Sequence, residues 1–153
     1  MKRCAYPISD LLPHQAPMIL LDEVLDYDEA ALRAAVTITP WSPFIEPEGV
    51  PAYVGLEYMA QACGAYAGTI ARDAGRPVRV GFLLGTRRYL SHVARFRVED
   101  RLTVSVAMIY SDEEMGTFDC RIEANGQCVA EARLNVFQPK PEHVLMKMAR
   151  QHE

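Results

Sequence analysis

Apolar and polar positions alternate at period two in several stretches of this 153-residue chain, and one stretch departs from that pattern. Leu32, Ala34, Val36 and Ile38 share one face of a strand predicted over 31–38. Leu102, Val104, Val106, Met108 and Tyr110 do the same over 101–110. Residues 18–27 are more continuously apolar and 79–84 resume the pattern, so both read as strands. Segments 116–124 and 127–136 flank Asn125-Gly126, a dipeptide that favours a two-residue hairpin turn. Residues 8–12 predict a short amphipathic turn with Ser9 as its cap.

The exception runs from Pro51 to Ala71, where the spacing predicts a helix of about five turns. Gly75 and Pro77 stop it. Glu57 and Gln61, one turn apart, are almost its only polar positions, so the helix is expected to be wrapped on all sides. Ala60, Gly64, Ala67, Gly68 and Ala71 form a small-residue stripe along it that lets other backbone come close. Glycine costs up to ~1 kcal/mol inside a helix, so Gly55, Gly64 and Gly68 point to tight packing or function. The order is strand, strand, long helix, then four strands. It predicts an α+β fold in which an antiparallel sheet curls around one helix. A single domain spans 1–153, and 139–153 form a tail or short helix. Sheet edges and a helix at the mouth favour a dimer.

Charge narrows the function. Lys plus Arg is 16 against 20 Asp plus Glu, a net −4 that gives no sign of a nucleic-acid binder. No apolar run reaches the ~20 residues of a membrane span, and Met1–Pro7 has no apolar core of a signal peptide. Cys4, Cys63, Cys120 and Cys128 lack metal-like spacing and read as reduced thiols of a cytoplasmic protein. Arg87, Arg88, Arg95 and Arg97 cluster in this acidic chain, either as a solvated strand edge or as a landing patch for an acidic partner. Between Pro13 and Pro17, His14 is held in a rigid loop, to bond nearby backbone or to act chemically. A proline-punctuated loop over 39–49, with Glu46 and Glu48 as solvated charges, leads into the helix.

Three blocks together resemble the bacterial β-hydroxyacyl-carrier-protein dehydratases. They are Leu11-Leu-Pro-His14-Gln-Ala-Pro-Met, the helix Pro51-Ala-Tyr-Val-Gly-Leu-Glu57-Tyr-Met-Ala-Gln61, and the final hairpin. Gly81-Phe-Leu-Leu-Gly-Thr-Arg-Arg and Ser42-Pro-Phe are similar to the ApeP-type subgroup of aryl-polyene pigment clusters. The resemblance covers roughly 8–138 and implies a hot-dog fold. It also implies removal of water from a carrier-bound 3-hydroxyacyl thioester, with neither metal nor cofactor. By this likeness Glu57 is the acid, and burial would favour its protonated form. Gln61 orients it. Ala52, in place of the family glycine, offers its amide to the thioester oxygen at the helix N-terminus. Tyr53 and Phe44 line the substrate, and the arginine cluster meets acyl carrier protein.

One departure stands out. The family histidine, fourteen residues before the acid in a Gly-His-Phe triplet, is here Pro43 in Ser42-Pro43-Phe44. Proline cannot take a proton; His14, the only other histidine inside a matching motif, is the candidate replacement base, with His92 as a second choice and His143 and His152 peripheral. The alternatives are a non-catalytic subunit paired with an active hot-dog dehydratase and, less favoured, an acyl thioesterase. The assembly is expected to be a homodimer or a heteromer with another hot-dog chain.

Overall fold

The computed structural model describes residues 1–14, 17–79, 81–112 and 114–138. The strands are β1 (Lys2–Arg3), β2 (Glu23–Tyr27), β3 (Ala31–Thr37), β4 (Val50–Pro51), β5 (Phe82–Ser91), β6 (Arg95–Phe96), β7 (Arg101–Ser111), β8 (Met115–Ala124) and β9 (Gln127–Phe137). The one α-helix, α1, is Gly55–Asp73. Seven strands form an antiparallel sheet in the order β1-β2-β3-β7-β8-β9-β5, while β4 and β6 make a separate ribbon.

Alternation decides which face α1 covers. Leu32, Ala34 and Val36 of β3, Leu102, Val104 and Val106 of β7, Phe118, Cys120 and Ile122 of β8, and Ala130, Ala132 and Leu134 of β9 are all buried in one core. Tyr58, Met59, Ala62, Ala65 and Tyr66 of α1 pack into the same core. A register shift between Met108 and Tyr110 breaks the predicted face of β7, and Tyr110 is left 61% exposed. At the hairpin, φ is 54° at Asn125 and 77° at Gly126, the left-handed pair that a type I′ turn requires.

Several boundaries differ from the sequence reading. Residues 18–22 stay out of β2, because the Leu20 N–H is spent on the Gln61 side chain and the Asp22 carboxylate accepts from the Thr37 N–H. A 3-10 turn over Ala52–Val54 precedes α1 where Pro51 was to start it. The 8–12 turn is a 3-10 helix, Ile8–Asp10, with Pro7 at its N-cap position and no side-chain cap from Ser9. β5 starts at Phe82 and runs on to Ser91 through two bulges. The predicted tail or helix over 139–153 lies outside the described residues. Among the described residues, no helix is long and apolar enough to cross a membrane.

α1 ends in a double lock. Gly75, at φ 70°, donates its N–H to Arg72 and Arg76 donates to Ala71, the crossed pair of a Schellman motif. Just before it, Asp73 accepts hydrogen bonds from the Tyr6 hydroxyl at 2.6 Å, the Tyr27 hydroxyl at 2.9 Å and the Lys2 ammonium at 3.1 Å. These donors, Tyr6 foremost, hold the Asp73 carboxyl below its ordinary 3.8. A depressed carboxylate contributes stability above its unfolded pKa, and that contribution fades as pH falls through the folded value. Asp73→Asn is therefore expected to lower Tm at about pH 6 and to match wild type at about pH 2. An equal deficit at both pH values in thermal unfolding would show that the charge is not what matters.

Candidate active site

Three segments meet at the N-terminal end of α1, and Gln61 joins two of them. Its side chain is only 2% exposed. Its Oε1 accepts the Leu20 N–H at 2.8 Å, and its Nε2 donates to the Met18 carbonyl at 2.8 Å and to Glu57 Oε1 at 3.4 Å. One glutamine thus fixes the 18–20 segment to the helix and steadies the carboxylate one turn before it. Gln61→Leu would leave a buried N–H and a carbonyl without partners, at about 1–3 kcal/mol each when fully unsatisfied. A clear drop in the urea midpoint is expected. A midpoint equal to wild type would mean that water replaces both contacts.

Ala52 is clamped on both sides of its peptide. Its N–H donates to the Ala94 carbonyl at 3.0 Å, and its own carbonyl accepts the Tyr89 hydroxyl. The Ala52 amide expected to hold the thioester oxygen is already engaged, so that role does not fit the chain as folded. Burial pushes the Tyr89 phenol up to about 12, which keeps it a neutral donor at physiological pH. Gly55 has no room for a side chain: a Cβ there would overlap the Tyr89 hydroxyl and approach Ile122 Cδ1 and the Phe96 ring at 3.0 Å. The sequence reading passed over Tyr89, whose role shows only when β5 is laid beside the helix start.

Glu57 occupies the first turn of α1, where the helix dipole favours a carboxylate. Contrary to the expectation of a helix wrapped on all sides, Glu57 is exposed. The sheet reaches one side of α1 only, through residues such as Tyr58, Met59 and Ala62, and Glu57 stands on the other. Large apolar side chains are exposed on the same converging segments: Met18 at 62%, Trp41 at 86%, Phe44 at 59% and Tyr53 at 70%. Phe44 also holds φ at 67°, a strained value for a residue with a side chain. Pro43 beside it is exposed.

His14 is half-buried, and its Nδ1 has no hydrogen-bond partner among the described residues. No hydrogen bond links it to Glu57. The four arginines divide into two groups. Arg95 is held by Glu46 and, at 3.1 Å, by Glu48, on the short strand that pairs with Val50–Pro51. Glu46 and Glu48 are exposed, as expected of solvated loop charges, and both also pair with Arg95. Arg87 and Arg88 lie on the β5 edge, where Arg87 faces Arg133 across the ladder. With Arg121 and Arg133 they line a shallow concavity of about 780 Å³.

A long helix laid across an antiparallel sheet, with an acid one turn before a buried glutamine that orients it, defines a hot-dog-fold dehydratase. The chain belongs to the ApeP-like family, described as ApeP dehydratase, which it matches over residues 6–147. It is 31% identical over 137 residues to the 3-hydroxyacyl-[acyl-carrier-protein] dehydratase FabZ of Chlamydia abortus, covering 82% of this chain and 85% of that protein. FabZ of Shewanella woodyi is also 31% identical, over 138 residues, 83% of this chain and 86% of that protein. Among solved structures, the dehydratase heterocomplex ApeI:P from Xenorhabdus doucetiae contains a chain of TM-score 0.89 and 28% identity, covering 95% of this chain and 99% of that one. A hypothetical thioesterase from Streptococcus pneumoniae, at TM-score 0.62 and 14% identity over 76% of this chain and 84% of that one, shares the fold.

Proposed function

We propose that this chain supplies the acid of a dehydratase acting on a 3-hydroxyacyl thioester held by acyl carrier protein, and that the base comes from a second hot-dog chain. The observation that carries this reading is Glu57 retained while Pro43 stands in the histidine position. Elimination moves the C2 proton to a base, forms the C2–C3 double bond and expels the C3 hydroxyl, which leaves as water once it gains a proton. Glu57 can donate that proton. Proline can take none. No hydrogen bond joins His14 to Glu57, which favours a histidine brought by a partner over a replacement within the chain.

Exposure supports the same reading. A carboxyl doing acid chemistry works best with water removed, and this chain alone leaves Glu57 uncovered, with Met18, Trp41, Phe44 and Tyr53 also exposed. A partner surface over Met18, Trp41, Phe44 and Tyr53 would keep water from the site. β5, the last strand of the sheet, has Leu83, Leu84 and Leu90 exposed and offers strand pairing to that partner. The Xenorhabdus doucetiae heterocomplex ApeI:P is a dehydratase of two components. The substrate class follows the names of the FabZ relatives.

The test is enoyl formation from a 3-hydroxyacyl carrier-protein substrate, assayed with this chain alone, with a histidine-bearing hot-dog partner alone, and with both. Silence from this chain alone and activity from the mixture are expected. Full turnover by this chain alone would overturn the need for a partner base. Pro43 also favours a second reading, a subunit that shapes the site without joining the chemistry, and Glu57 substitution in the mixture separates the two.

A further inference from the structure

We propose that His92, Cys128 and Glu131 form a divalent transition-metal site of the zinc class, at the corner where β5 turns toward β6. The imidazole nitrogen, thiol sulfur and carboxylate oxygen of these residues all lie within 4.8 Å of one another. Tetrahedral zinc, with bonds of about 2.0–2.3 Å, needs its donors roughly 3.3–3.6 Å apart. Small side-chain rotations close that gap, since His92 and Glu131 are exposed and Cys128 is half-buried.

Backbone geometry assembles the three. Cys128 and Glu131 are three apart on β9, so a regular strand would send them to opposite faces. The β8 ladder pairs Ile122 with Ala130 but Glu123 with Cys128, which leaves Val129 as the extra residue of a bulge. Val129 and Ala130 are both buried as a result, and Cys128 turns outward onto the side of Glu131, 3.5 Å from its carboxylate. His92 reaches the same place because its N–H donates to the carbonyl of the bulged Val129 at 2.8 Å. Its turn is set in advance, with the Ser91 hydroxyl bonded to the Val93 carbonyl at 2.5 Å. A nearby cation, Arg121, is drawn to Glu123 at 2.9 Å.

Nitrogen, sulfur and oxygen donors together suit zinc, and three protein ligands leave a fourth position for water. Binding releases the thiol proton, so the site strengthens as pH rises. A metal here would staple the 91–94 turn to β9. Ala94 of that turn holds the Ala52 N–H, so the staple reaches the helix mouth by two residues of backbone.

Cobalt(II) titration of the full reduced chain tests the site. One equivalent per chain is expected to produce a thiolate-to-cobalt absorption band, displaced by zinc. Cys128→Ser should abolish the band, while Cys4→Ser keeps it. His92→Ala should weaken zinc binding at least tenfold and remove the rise in Tm that zinc gives wild type, with metal-free Tm unchanged. No saturable binding near one equivalent, or binding untouched by both Cys128→Ser and His92→Ala, overturns the proposal.

Discussion

Replacing Glu57 by Gln in the assembled dehydratase is expected to lower enoyl formation by about 10²–10⁴-fold, the usual contribution of a positioned general acid. Glutamine keeps the shape and the carbonyl oxygen that Gln61 Nε2 approaches, so the local geometry survives. It cannot donate a proton to a leaving hydroxyl. Because the side chain is exposed in this chain, folding should change by no more than about 0.5 kcal/mol. The loss should therefore appear in kcat, with Tm and complex formation unchanged. A rate in the complex equal to wild type would sink the catalytic role and leave this chain as a shaping subunit. A loss of complex formation instead would mean that the carboxylate serves the interface.

Much of this arrangement was legible because local chemistry and global fold agree. Asn125-Gly126 demanded a hairpin and made one, and the apolar faces of β3 and β7 are the faces that meet α1. The stripe of small residues on the helix anticipated a close backbone neighbour. The helix composition was also a good guide to burial: the sheet covers one side of α1, Leu11 and Leu20 lie against it at Gly68 and Gln61, and the departures are local, with Glu57 and Ile70 exposed. Glu57 and Gln61 were visible as a pair because they share a helix face. The partners of Ala52 were not, since Tyr89 and Ala94 lie some forty residues away and meet it only through tertiary contact. The cluster at His92, Cys128 and Glu131 was hidden for a different reason. A bulge reverses the facing of one residue, and no periodicity reports that.

Gly68→Ala is expected to cost this chain about 1–2 kcal/mol net, against the sign that helix propensity alone predicts. In a free helix, Ala is favoured over Gly by about 1 kcal/mol. Here a Cβ on Gly68 would overlap the Leu11 carbonyl oxygen and lie 2.9 Å from its carbon and 3.0 Å from its Cα. Those are backbone atoms of a segment that cannot simply rotate away. Leu11 and Leu12 are buried at 0% and 4% exposure, and Arg72 Nε binds the Asp10 carbonyl at 2.8 Å. Overpacking against such an obstacle costs about 1–3 kcal/mol or more, enough to reverse the propensity gain. For a chain of this size the loss corresponds to roughly 2–8 °C in Tm. Gly64, one turn earlier, gives the contrast: its Cβ would meet only Leu12 Cδ2, the flexible end of a side chain, at 3.3 Å. Gly64→Ala should thus be near neutral. If Gly68→Ala and Gly64→Ala unfold at the same temperature, the Leu11 backbone is not what requires glycine at position 68.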